Sequence, residues 1–261
     1  MAWQIGVTGT NLPVAKVYVG NGAGVDEAAR LMLGIGGSAV EAWHADLRLV
    51  ETTMSANTGG GSTSNATLPP NRQIGDLMVI VVTCYNATLT TPSGWTRFIT
   101  DSASTRNRVH AIWRICDGTE ASTLSITVSQ NDSTVYGAML FRNAHPTTPI
   151  NVSDTGGSTI SNTSHTCPTV TTTALALAGK AIVVRVACTY VDVGDPANYS
   201  WLAGLTEVAD YQADTASDAT QSVMGIAVTT AAVVGSQGTA VATSAENQRW
   251  GTATFVVSPK P

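Results

Sequence analysis

The chain has 261 residues, 43% hydrophobic and 12% charged, with a formal net charge of −5. That is long enough for one large β domain or two smaller units, and apolar enough for an ordinary core, which excludes a disordered acidic or basic tail. The acidic balance and the scattered arginines, with only Lys16, Lys180 and Lys260 as lysines, argue against a protein that grips nucleic-acid phosphates.

The start, Met1 to Thr10, lacks a basic n-region and an apolar h-region, so it does not read as a secretory signal. The longest apolar run, Leu77 to Val82, is strand-sized, so no membrane insertion is expected. Synthesis and folding in a cytoplasm follow as the expectation. Asn-x-Ser/Thr triplets such as Asn86-Ala87-Thr88 then reflect a Thr- and Ser-rich composition.

The first 50 residues repeat. Ala15-Lys16-Val17-Tyr18-Val19-Gly20-Asn21-Gly22 is followed by Ala29-Arg30-Leu31-Met32-Leu33-Gly34-Ile35-Gly36. Each copy reads as a strand, a glycine turn and a return strand, because glycine takes the positive φ of tight hairpin turns. Leu47 to Val50 reads as a third strand, and Val25 to Leu33 carries a competing helical pattern. Lone hairpins are barely stable in water. Residues 1–52 therefore read as an assembly arm whose apolar residues Val17, Tyr18, Val19, Leu31, Met32 and Leu33 pack on another subunit or protein. Gly20, Gly22 and Gly24 miss the G-x-G-x-x-G spacing of a phosphate-binding turn.

Residues 53–66 include NTGGGSTSN, a composition that reads as a flexible linker. From 67 to 261 strand-like runs alternate with polar turns. Leu77 to Cys84 is apolar on both faces and reads as a central strand covered on both sides. In Val109 to Cys116, period-2 alternation places Val109, Ala111, Trp113 and Ile115 on one face and His110, Ile112 and Arg114 on the other. Further strands are read at Trp95–Ile99, Leu124–Val128, Val135–Phe141, Ala181–Tyr190, Gln221–Thr230, Thr239–Thr243 and Thr252–Val257. Many short strands with little helical periodicity give an all-β chain, a hairpin-repeat arm followed by a jelly-roll-like two-sheet β-sandwich.

Chemistry is sparse. G-x-S-x-G, H-E-x-x-H, a Walker loop and an Asp-x-Asp-x-Asp-Gly calcium loop are all absent, so no catalytic residue, metal or cofactor is assigned. His110 reads as pointing outward from a strand or meeting a neighbour's polar group, and His145 and His165 as surface loop residues. Asp210, Asp214 and Asp218 recur every four residues but read as a solvated loop, and Asp192 and Asp195 flank Gly194. Cys84, Cys116 and Cys188 lie in apolar strands as buried thiols. Cys167 falls in a loop-like stretch, and one disulfide formed outside the cell stays open as an alternative. Trp95, Trp113 and Trp250 read as core. Tyr190, Tyr199 and Trp201 cluster in sequence around a loop-like segment. Structural packing is the first reading for them; as exposed rings beside Asp and Asn they would instead suit a glycan or receptor contact, flat faces stacking on sugar C–H groups.

The order GDLMVIVVT, PSGWT, HAIWRICDGTEASTLSITVS, AMLFRNAHPTTPI and RWGTATFVV resembles β-sandwich domains of structural proteins in tailed bacteriophages and prophage elements, over residues 67–258. Its most specific pieces are Pro92-Ser93-Gly94-Trp95-Thr96 and Asp117-Gly118-Thr119-Glu120. The N-terminal repeat is similar to KVYVGxGG-type hairpins at the start of some phage virion proteins. The resemblance implies a non-enzymatic virion protein, a tail or tail-tip appendage whose arm docks to other virion proteins and whose sandwich contacts the host surface. A homotrimer is the first expectation. A capsid decoration or head-spike protein, and a carbohydrate-binding module, are the alternatives.

Overall fold

The structure is a computed structural model that describes residues 18–20, 25–27, 30–35, 38–44, 46–57, 61–100, 106–172, 180–192, 198–213, 220–231 and 234–260. The fold is all-β, every strand pairing is antiparallel, and no helix occurs among the described residues. The chain divides into two compact units, residues 1–46 and 47–261.

In the first unit β1 (Tyr18–Gly20) pairs with β2 (Val25–Glu27), and β3 (Arg30–Ile35) pairs with β4 (Ser38–His44). Tyr18, Val19, Leu31, Met32 and Leu33 fall on β1 and β3. Val17 lies outside the described residues. The helical pattern of 25–33 is overruled by these strands.

The second unit, the body, begins earlier than the sequence suggested. Residues read as the end of the arm and a linker form β5 (Arg48–Asn57) and β6 (Thr63–Thr67). β5 is pulled into the body by a backbone ladder to β12 (Thr134–Arg142), running from Arg48↔Arg142 to Asn57↔Thr134. Leu47, Leu49, Met54 and Ala56 add their apolar surface to the body's core. Burial and a full ladder outweigh the Ser/Thr/Gly composition that marks a linker. Of the Gly-rich run, residues 58–60 lie outside the described residues.

The body stacks its sheets. β7 (Leu77–Tyr85), β8 (Leu89–Thr90), β9 (Thr96–Ile99), β10 (Asn107–Ile115) and β11 (Thr123–Val128) follow β6. The central sheet has the order β5-β12-β7-β10-β9, and a small sheet β6-β11-β8 covers one of its faces. The other face is covered by a second large sheet built from β13 (Ile150–Cys167), β15 (Ala181–Asp192), β17 (Thr206–Gln212), β18 (Thr220–Ala231) and β20 (Ala240–Val257), in the order β13-β20-β15-β18-β17. β14 (Thr171–Thr172) pairs with β19 (Gly235–Ser236), and β16 (Tyr199–Trp201) pairs with β20. The sandwich thus carries a layer more than the two sheets read from sequence.

Strand β7 shows why. Leu77 to Cys84 is buried throughout. Leu77, Val79 and Val81 enter a core shared with Val109, Ala111, Met139 and Phe141 on one side and Ile182, Val184, Val186, Met224, Ile226 and Phe255 on the other. Met78, Ile80 and Val82 enter a second core with Ala66, Leu89, Trp95, Ile126 and Leu140. A strand apolar on both faces needs cover on both faces.

One buried charge is held almost entirely by backbone oxygens. Arg185 is 2% exposed. It donates to the carbonyl oxygens of Pro168 (2.6 Å), Gln237 (2.7 Å) and Gly238 (2.9 Å) and to Thr254 Oγ1 (2.7 Å). No carboxylate pairs with it in these contacts. Four oxygens disperse the charge, and the guanidinium fastens two loops to the outer face of the second large sheet. All four cysteines are free and buried, Cys167 at the end of β13, so the disulfide alternative falls.

Two outcomes test this architecture. Phe141→Ala, at a fully buried position between the large sheets, lowers stability by about 3–5 kcal/mol in urea titration. Residues 47–261 alone unfold in one cooperative transition, whereas removal of residues 1–56 deletes β5 and gives insoluble protein or a clearly lower Tm.

Candidate functional site

The three aromatic residues singled out as a glycan or receptor surface do not form one. Tyr190 and Tyr199 are buried, at 8% and 4% exposure, and Trp201 is half-buried. The period-2 alternation of β15 turns Tyr190 toward the first large sheet. There its hydroxyl faces Asp132 Oδ1 (2.9 Å) and the carbonyl oxygen of Ser133 (2.5 Å), and its ring meets Tyr85 edge-on at 5.0 Å. Tyr199 and Trp201 lie on the opposite face of the second large sheet, with Ala187, Val191, Val223 and Ala242. Stacking on sugar needs open ring faces, and packing uses those faces here.

What the structure assembles instead is a polar aromatic cluster around Tyr199. β16 lies on the N-terminal part of β20 through Tyr199↔Ser244 and Trp201↔Ala242, and His165 of β13 pairs with the same Ala242 from the other side. Gly225 of β18 leaves room for the Tyr199 ring, since a Cβ there would sit 2.7 Å from Cδ2. His165 stacks on Trp250 (centroids 5.3 Å, 16°) and meets Tyr199 edge-on at 5.5 Å. Its Nε2 lies 2.9 Å from the Asn162 carbonyl oxygen and its Nδ1 lies 3.0 Å from the Tyr199 hydroxyl. A carbonyl only accepts, so Nε2 carries the proton, and the neutral ring takes the Tyr199 O–H at Nδ1. Asp210 of β17 accepts from the Tyr199 backbone N–H through Oδ2 at 2.7 Å.

This geometry binds strands together. Both ring nitrogens of His165 are occupied, so it has no free nitrogen to take or give a proton. Burial holds the imidazole down to about 4 and the Asp210 carboxyl up to about 6. Asp210 Oδ1, Trp201 Nε1 and Trp250 Nε1 are the buried polar atoms of the cluster without a hydrogen-bond partner.

Other residues weighed from sequence fall as follows. His110 is fully buried instead of facing outward, its Nδ1 2.9 Å from the Arg97 guanidinium and its Nε2 3.0 Å from the Ala87 carbonyl oxygen. His165 is a buried strand residue, not a surface one. His145 sits in a turn, where its Nδ1 accepts from the Thr148 N–H at 3.0 Å. Asp210 is on a strand and not in a loop, Asp192 ends β15, and Asp195, Asp214 and Asp218 lie outside the described residues. Among the described residues no group of three His, Cys, Asp or Glu side chains could hold a metal ion. The Asp117-Gly118-Thr119-Glu120 run is turn chemistry. Asp117 Oδ1 accepts the Thr119 N–H (2.9 Å), Glu120 Oε1 accepts the Asp117 N–H (2.8 Å), and Arg114 bridges both carboxylates. Thr119 and Arg114 pull the Asp117 carboxyl down to about 2.

Two opposed pH effects follow. His165 stays neutral in the fold until about 4, while an unfolded histidine protonates near 6.5. Its stabilisation is present above 6.5 and is lost as pH falls toward 4. Asp210 is protonated in the fold below about 6 and in the unfolded chain only below 3.8. It favours the fold at low pH, and that contribution is lost as pH rises from 3.8 to 6. His165→Gln therefore flattens the acid limb of the stability profile between pH 6.5 and 4, by up to about 3 kcal/mol, and Asp210→Asn steepens it, both read by urea titration at a series of pH values.

Compared with known protein families, with curated proteins and with solved structures, the chain matches none.

Proposed function

We propose that this chain is a non-enzymatic structural subunit of a bacteriophage particle, a tail or tail-tip appendage protein. Residues 1–46 dock to other virion proteins, and the body is the part that the docked arm carries. The observation that carries the reading is the division at Asp46/Leu47. The body has its own core without the arm, and the arm is a short run of hairpins, too small to be stable on its own. A hairpin run of that size is stabilised by packing its apolar faces on a partner and adding strands at sheet edges. The resemblance of the body's motif order to phage virion sandwiches supplies the particle. The way the body spends its ionisable groups fits a structural role: His110, His165, Asp76, Asp132 and Arg185 all serve as ties within the fold.

The burial of Tyr190 and Tyr199 takes two of the three rings away from the glycan-binding alternative and leaves the half-buried Trp201. The capsid-decoration alternative shares the arm and differs in its target. Light scattering of the full chain beside residues 47–261 tests the reading. The full chain runs as an oligomer, a trimer first, and the body runs as a monomer. Two identical monomers would overturn it. Co-sedimentation with purified tails, and not with shells at capsid stoichiometry, separates tail from head.

A further inference from the structure

The two halves of the body have the same plan. In the first, residues 47–144, the large sheet runs β5-β12-β7-β10-β9; in the second, residues 150–257, it runs β13-β20-β15-β18-β17. Matching strands come in the same order along the chain. The small sheet β6-β11-β8 also has its counterpart. The end of β13 pairs with the start of β20 (Ser164↔Thr243, Cys167↔Ala240), and β16 pairs with β20 on the other side. β13 and β20 each run through what are two strands in the first half. The register of β13 on β20 slips between Ser158 and Ser164, the place that corresponds to the break between β5 and β6.

Residues agree with the plan. β8 and β16 lead into the same turn: Gly94 has φ 78° and Gly204 φ 95°. The Trp95 N–H donates to the Pro92 carbonyl oxygen (3.2 Å), and the Leu205 N–H donates to that of Leu202 (3.4 Å). Thr96 and Thr206 then open β9 and β17. The stretch Tyr136-Gly137-Ala138-Met139-Leu140-Phe141 in β12 matches Trp250-Gly251-Thr252-Ala253-Thr254-Phe255 in β20, and both phenylalanines enter the shared core. A guanidinium ties the loops of each half in the same manner. Arg72 donates to the carbonyl oxygens of Pro69, Glu120 and Ala121, and Arg185 to those of Pro168, Gln237 and Gly238.

The contacts between the halves are reciprocal. β5 lies against β17 as β13 lies against β9. β10 lies against β20 as β18 lies against β12, and β10 against β15 as β18 against β7. Strand i touching j while the counterpart of j touches the counterpart of i is the mark of a two-fold, isologous interface.

We infer that residues 47–261 are two copies of one β-sandwich repeat fused in tandem, and that the large-sheet face each copy buries is a self-association surface whose partner is a second copy of the repeat. The surface carries Leu77, Val79, Val81, Met139 and Phe141 in the first copy. Exposed alone they would form a contiguous apolar patch, of the kind that marks an association site.

The test uses the arm-free body, so that association through the arm cannot imitate the result. A protease site is placed at Pro146–Thr148, an exposed connection between the copies. The cut body is unfolded in urea, and the fragments are separated and refolded alone and together. Mixed fragments return as a 1:1 complex with the circular dichroism of the uncut body. The first fragment alone runs at twice its mass, and Val81→Asp, in the centre of the buried face, halves that mass. A first fragment that folds as a monomer without Val81→Asp, or a mixture that does not reassociate, overturns the inference. Where the lone fragment does not fold, the decision passes to a chain in which residues 47–146 stand twice in tandem. It folds as a cooperative monomer if the face is self-complementary, and an unfolded tandem overturns the inference.

Discussion

The burial of one large sheet against the other holds this body together. Strand β7 presents apolar side chains on both faces, and no two-layer arrangement can cover it. The first half alone would leave Leu77, Val79, Val81, Val109, Met139 and Phe141 in water, and the second half supplies Ile182, Val184, Met224, Ile226 and Phe255 to cover them. At roughly 25 cal/mol per Å² of apolar surface, this contact, which buries these side chains against one another, stabilises the body strongly. The strand order, the small sheets and the tied loops all sit outside it and depend on it.

Outside that contact, the outer face of the second large sheet carries buried polar groups, Arg185 and His165 among them. Arg185 lies buried there, fastened to backbone oxygens of two loops. His165, Tyr199 and Asp210 link β13, β16 and β17 in one chain of hydrogen bonds. In the first half the matching place holds Ala66, Leu89 and Trp95 with Tyr136, whose hydroxyl meets those of Ser64 and Thr134. The two halves thus keep one backbone plan filled with different side chains, Trp95 and Tyr136 among aliphatic residues in one and the His165–Tyr199–Trp250 cluster in the other. Backbone ladders and turn geometry tolerate such exchange as long as buried donors and acceptors find partners.

The arrangement also bears on how the chain would serve in a particle. A body that supplies its own two-fold contact within one chain has already covered its largest apolar face. Further assembly then falls to other surfaces, and the separate N-terminal hairpin unit is the segment available for it. Low charge and abundant Ser and Thr suit close packing among neighbours, since neutral hydroxyls hydrogen-bond without the desolvation cost of ions.

Local pattern by itself determined the all-β class, the position of nearly every apolar strand and the doubly covered character of Leu77–Cys84, because period-2 burial is written directly in side-chain polarity. It also placed the turns at Gly94 and Asp117-Gly118, where positive φ or a side-chain cap is a one-residue requirement. It caught the start of β5 at Leu47–Val50 but misread the rest of β5, and β6 and β13, whose Thr, Ser, Asn and Gly residues read as linker or loop. Their strand state comes from ladders to β12, β11 and β20, partners that lie more than 50 residues away in the chain. It misread His165, and left Tyr190, Tyr199 and His110 open between packing and exposure, for a related reason: an aromatic or imidazole in a polar stretch looks exposed until a distant strand covers it. The doubling of the body was present in the sequence, in Gly94-Trp95-Thr96 against Gly204-Leu205-Thr206 and in Gly137 to Phe141 against Gly251 to Phe255, but with too few identities to stand out. Only the tertiary structure decided it, because strand order and reciprocal contact are properties of pairing between segments, and side chains can diverge while the pairing persists.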